Sequence, residues 1–122
     1  MSNVRAHQMP LFCARLLVVC LVDDGKPKRR NTCDYPFVLL EATDHESALA
    51  KAIELGKKQE TKYRNAKQQL VRWAFVKVEQ IARLEEPLDG QEVGSLLDVL
   101  RTEEPLSYRK RFSPGKSRPV LS

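Results

Sequence analysis

Few side chains in this sequence have the type and spacing that chemistry needs. There are two histidines, His7 and His45. His45 sits in the segment TDHE, which reads as a helix start, and the positive end of a helix dipole opposes protonation there. Both histidines therefore read as surface residues rather than bases. Glu41, Asp44, Glu46 and Glu79 are the carboxylates that could gather near a strand end for acid–base work, and their spacing reads as solvated groups. The three cysteines, Cys13, Cys20 and Cys33, contain no C-x-x-C pair, which argues against a structural zinc site. On one strand, Cys13 and Cys20 would point to opposite faces about 23 Å apart at roughly 3.3 Å per residue, too far for a disulfide or a shared metal. No G-x-S-x-G, H-E-x-x-H, P-loop or G-x-G-x-x-G occurs. An enzyme would need a site assembled in space, so the expectation is a non-enzymatic chain without cofactor or metal.

Binding is the more economical chemistry, and charge shows where it could lie. The net charge is +5. Residues 105–122, PLSYRKRFSPGKSRPVLS, carry Arg109, Lys110, Arg111, Lys116 and Arg118 with no acidic residue, leaving 16 basic and 16 acidic residues in the remainder. A second cluster, Lys26, Lys28, Arg29 and Arg30, is flanked by Asp23, Asp24 and Asp34, which partly cancel its field. These two clusters are the candidate contacts for a partner. On nucleic acid they would meet phosphates while Tyr108 or Phe112 stacked on bases.

The elements that must position these groups follow from patterning. At 122 residues, with 42% hydrophobic and 30% charged, the chain can bury a core of its own. Residues 1–10 have no period and read as a flexible arm. The run LFCARLLVVCLV (11–22) is apolar at nearly every position and reads as a central strand covered on both faces. It is too short for a membrane span, which needs about 20 residues, and it lacks a small-x-small cleavage site; a bacterial-type cytoplasmic protein is expected. GKPKRRNT (25–32) reads as an exposed basic loop leading to a second strand, YPFVLLEAT (35–43), antiparallel to the first. Thr43 and Glu46 in TDHE have the form of a capping box that starts a helix ending near Asn65. Gly56 within it marks a close approach to the sheet or a kink.

LVRWAFVKVEQIAR (70–83) reads as a strand whose apolar face changes near Phe75-Val76, as a β-bulge would cause. Trp73 and Phe75 are expected beneath the helix, and Arg72, if buried, needs a carboxylate, for which Glu41 is the candidate. Asp89-Gly90 centres a turn, and the segment after it, ambiguous between strand and helix, is favoured as a short helix.

The sum is an α+β fold. Its small antiparallel sheet has about three to four strands in the order β-β-α-β, then a short β or α element, with one long helix packed on one face. The single domain spans 11–104, followed by a basic, flexible tail over 105–122. Leu16, Leu17, Leu49, Ile53, Trp73 and Phe75 form the expected core.

These features also resemble a family. Arg15-Leu16-Leu17, Ser47-Ala48, Lys51-Ala52, Tyr63-Arg64-Asn65, Val71-Arg72-Trp73, Phe75-Val76 and Asp89-Gly90-Gln91-Glu92-Val93 follow in the order of a small bacterial family, domain of unknown function 4288. The resemblance covers roughly residues 11–93. It departs at Ala66-Lys67-Gln68, where a glycine turn is expected, and in the longer basic C-terminus. It implies an α+β fold and assigns no activity.

The functional expectation is a protein-interaction module, an accessory subunit or an immunity- or antitoxin-like binder. Its partner would be another protein or a second copy of itself, and no membrane is involved. The alternative is RNA or DNA binding through the basic loop and tail.

Overall fold

A computed structural model describes residues 9–85, 89–90 and 97–122. The arm expected over 1–10 falls outside these residues except for Met9 and Pro10, as does the segment 91–96. Seven strands and one helix follow in order: β1 (Leu11–Asp23), β2 (Lys28–Asp34), β3 (Phe37–Glu41), α1 (His45–Lys58), β4 (Thr61–Arg64), β5 (Leu70–Arg83), β6 (Leu97–Leu106) and β7 (Val120–Leu121). They form a single sheet with the path β4-β5-β1-β2-β6; β3 also pairs with β1, and β7 pairs with β5. All pairings are antiparallel except the parallel β5–β7 pair.

This overturns the expected three- to four-stranded sheet carrying one long helix. The helix has 14 residues and stops at Lys58, because Thr61–Arg64 leave it to pair with the first residues of β5. The basic loop is half strand, since Lys28–Asp34 lie between β1 and β6. Residues 97–104, the described part of the segment favoured as helix, belong to a strand on β2 that runs on to Leu106. Strands β2 and β4 are polar and gain their place from ladder hydrogen bonds to a neighbour, which leaves little hydrophobic periodicity to read, and the spacing of Leu97 and Leu100 in β6 fits a helical stripe as well as a strand.

Strand β1 owes its central position to its continuous apolar run. Its even-numbered residues from Phe12 to Leu16 belong to a core under α1 with Leu40, Ala48, Ala52, Phe75, Val78 and Ile81. Its odd-numbered residues Leu17, Val19 and Leu21 belong to a second core on the opposite face with Cys33, Ala74 and Leu106. Two bulges in β5 make this possible. Arg15 opposes Gln80 while Leu16 opposes Val78, which leaves Glu79 extra; Leu17 opposes Lys77 while Val18 opposes Phe75, which leaves Val76 extra. Phe75, Val78 and Ile81 therefore reach the helix side at intervals of three, where an unbroken strand would alternate.

The helix starts one residue later than the capping box suggests. Asp44 is the N-cap, and its carboxylate accepts the Ser47 N–H at 2.8 Å, in keeping with the preference for Asp over Thr at this position. Gly56 faces Phe75 so closely that a Cβ would lie 2.5 Å from its ring. Leu49 and Ile53 pack at the margin of this core. Trp73 does not lie under the helix: it is half-buried beyond the C-terminus of α1 and belongs to neither core.

Residues 105–122, expected as a flexible tail, run against the sheet. Tyr108 and Phe112 pack on the second core. A 3₁₀ turn at Pro114–Lys116 then places the buried Ser117 at the edge of β5, and β7 closes beside Gln80 and Ile81. Among the described residues no helix is long and apolar enough to cross a membrane.

Candidate functional site

Among the described residues the second face of the sheet is only half covered. Tyr108, Phe112 and Leu100 pack over its Leu17–Leu21 half, and the half around Cys13 and Arg15 lies beyond them. Residues directly opposed across a ladder share a face. Phe37, Arg15, Gln80 and Val120 therefore form one row across β3, β1, β5 and β7. Leu39, Cys13 and Ala82 form the next. Leu39 is 57% exposed and Val120 65%, so large apolar groups flank a cationic residue on a surface that no other described residue covers.

Arg15 is the polar centre of this surface. Its guanidinium carbon lies 5.9 Å from the centroid of the Tyr35 ring, a cation–π arrangement. Its Nε is buried without a hydrogen-bond partner among the described residues. Arg15, Tyr35, Phe37 and Glu79 line a cavity of about 250 Å³. The bulge at Glu79 turns that carboxylate into the cavity's wall, where it also lies 3.8 Å from Lys77. Burial first, then the neighbouring Cys33 and Glu79, push the Tyr35 phenol above its ordinary value. The surface offers donors and apolar area to a ligand. Among the described residues no group of three metal-ligating side chains converges anywhere.

The basic residues singled out by sequence divide into two places. Lys28 opposes Leu106, and the Thr102 hydroxyl donates to the Arg29 carbonyl, so the β1–β2 hairpin lies beside the segment leaving β6. Lys26, Tyr108 and Arg109 line a shared cavity of about 220 Å³, which brings the 26–30 and 109–111 clusters to one end of the sheet. Two of these charges are already engaged: Lys28 pairs with Asp24 at 2.6 Å and Lys110 with Glu104 at 3.7 Å. Hydrogen bonding to Lys28 holds the Asp24 carboxyl below its ordinary value. Lys116 and Arg118 lie elsewhere, lining a cavity of about 340 Å³ with Lys77 and Phe112. Tyr108 and Phe112, expected as stacking platforms, serve the second core.

Arg72 is buried, but its partner is not Glu41. Arg72 opposes Leu21 while Glu41 opposes Leu11, at the other end of β1. The guanidinium donates to the carbonyls of Lys110 at 3.0 Å and Tyr108 at 3.4 Å and meets Glu60 at 3.5 Å. It ties the C-terminal segment to the sheet and is a structural residue.

Sequence reasoning missed the surface around Arg15. The signal was a single arginine inside a strand otherwise apolar on both faces, which needs either a buried partner or an open face beside it. Cys13 and Cys20 lie on opposite faces of β1 as free thiols, each pushed up by burial.

No curated protein and no solved structure matches this chain. A family model does match residues 11–95, which run from the start of β1 past β5 and leave the basic C-terminal segment outside. The order of β1, the capped helix and the tryptophan strand within that match makes the chain a member of the family described as a domain of unknown function, DUF4288.

Proposed function

We propose that this chain is a non-enzymatic protein-interaction module whose partner covers the open half of the second sheet face. The observation that carries the reading is the row Phe37–Arg15–Gln80–Val120. Its exposed apolar ends would lose water on binding, and its central guanidinium has a buried donor still to be satisfied. Strand β3 adds a second means of contact, because among the described residues it pairs only with β1, and its other edge can receive a strand.

A photo-crosslinking side chain placed at Leu39, and at the exposed Lys58 of α1 as the control, tests this in expressing cells. A discrete protein adduct at position 39 and none at 58 supports the reading. Identical adducts at both positions, or none at 39, would end it. Adducts at twice the chain's own mass would identify the partner as a second copy.

Nucleic-acid binding is the second reading, favoured by the convergence of the 26–30 and 109–111 clusters at one end of the sheet. Paired substitution of Arg29 and Arg109 by Ala should weaken RNA or DNA binding and flatten its dependence on salt. A wild-type chain that ignores both nucleic acids at low salt removes this reading.

A further inference from the structure

On the helix side of the sheet, past the C-terminus of α1, Asp34 and Trp73 line a cavity of about 280 Å³ together with Val18, Pro36, Gln59 and Thr61. Asp34 ends β2 and opposes Val18. Its Oδ1 is buried with no hydrogen-bond partner among the described residues. A carboxylate oxygen withdrawn from water and left without a donor is costly unless something occupies the space beside it.

The surroundings of the carboxylate favour a cation. The indole of Trp73 forms one wall, held by donation of its Nε1–H to the Tyr63 hydroxyl at 3.2 Å, and aromatic faces attract cations, tryptophan most strongly. Gln59 is the C-cap of α1, so the negative end of the helix dipole adjoins the cavity. The basic residues of the last helical turn, Lys57 and Lys58, are exposed and form no ion pair with Asp34. Val18 and Pro36 supply an apolar lining for an alkyl stem.

We infer that the Asp34–Trp73 cavity binds a guanidinium-type organic cation, the carboxylate accepting its N–H groups while the planar cation lies against the indole. A guanidinium suits the pair better than an ammonium because it is planar, weakly hydrated and able to donate two parallel hydrogen bonds to one carboxylate. The site lies on the opposite face from the Phe37–Arg15 row and does not depend on that surface having a partner.

Trp73 is the only tryptophan in the chain, so its emission reports on this cavity alone. The full chain is titrated with acetyl-arginine amide, with the peptide Gly-Gly-Arg-Gly-Gly, and with acetyl-citrulline amide, an uncharged analogue of similar shape. A saturable change with the arginine probes, weakened by about tenfold or more for citrulline and for Asp34→Asn, is the expected result. Tighter binding of the peptide than of the amide would identify a polypeptide side chain as the natural source, and equal binding a free guanidinium compound. No saturable change with either arginine probe, or equal binding of citrulline, overturns the inference without reference to any variant. Calorimetry on Trp73→Leu checks the indole's part, with weaker arginine binding expected and unchanged affinity counting against the aromatic wall.

Discussion

The Ser117 hydroxyl accepts the Val78 N–H at 3.0 Å, in the gap that β4 and β7 leave along the outer edge of β5. Strand β4 covers Leu70–Trp73 and β7 covers Gln80–Ile81. Between them the strand carries the bulge at Val76, and among the described residues its amides there have no neighbouring strand. Glu60 serves the same purpose one step earlier, accepting the Phe75 N–H at 2.7 Å. Two side chains thus complete an edge that would otherwise present unpaired donors.

Ser117→Ala should accordingly destabilise the chain by about 1–3 kcal/mol, the cost of a buried amide left without an acceptor. Removing residues 113–122 should cost more, because β7 goes with it. Urea unfolding followed by far-ultraviolet circular dichroism measures both. A truncated chain as stable as the full one would mean that the C-terminal segment only rests on the sheet.

Glu60 has two tasks, the Phe75 amide and the Arg72 guanidinium, and two substitutions separate them. Glu60→Gln keeps an acceptor for the amide and loses the charge. Glu60→Ala loses both and should cost about 1–3 kcal/mol more than Gln does. Equal losses from the two substitutions would show that the amide contact carries no weight.

At an exposed helical position Gly→Ala stabilises by about 1 kcal/mol. At Gly56 the sign should reverse, because the new methyl would meet the Phe75 ring at 2.5 Å, and overpacking of this kind costs about 1–3 kcal/mol. Combining Gly56→Ala with Phe75→Leu should recover part of the loss. A double mutant whose loss equals the sum of the singles would separate the two residues energetically.

Gln68 holds φ = 64° in the β4–β5 turn, where Asn65 Oδ1 accepts the N–H groups of Lys67 and Gln69. This left-handed conformation is strained for a residue with a Cβ. Gln68→Gly should stabilise by up to about 1 kcal/mol, read as a raised melting temperature. A lowered one would place the Gln68 side chain in a role its backbone does not reveal.

The Ser47 N–H holds the Asp44 carboxyl below its ordinary value. A carboxyl depressed in the folded state contributes stability above its unfolded pKa of about 3.9 and loses that contribution as pH falls through the folded value. Asp44→Asn keeps the cap acceptor without the titration. Wild type and variant should then differ by a constant amount above about pH 5 and converge in stability below about pH 4. A difference unchanged down to pH 2 would remove the carboxylate's charge from the account of the cap.

Much of this fold is determined locally and was legible for that reason. The apolar run of β1 marks a central strand, the change of face at Phe75-Val76 demands a bulge, and TDHE (43–46) marks a helix start, although its cap proves to be Asp44 and not Thr43. All three are found. Each is a property of consecutive residues. The polar strands β2 and β4 carry no such mark, since a backbone ladder satisfies Lys28–Asp34 or Thr61–Arg64 whatever their side chains, and the apolar spacing of β6 is equally that of a helix. Only the presence of a neighbouring edge decides that they are strands. The tertiary structure alone brings Arg72 to the carbonyls of Tyr108 and Lys110 instead of to Glu41, and assembles Phe37, Arg15, Gln80 and Val120 into one row from four strands. It also leaves Asp34 beside Trp73. Spacing along a chain sets which face a residue takes, whereas its partners across the sheet depend on register and strand order, and those are set by the packing of the whole domain.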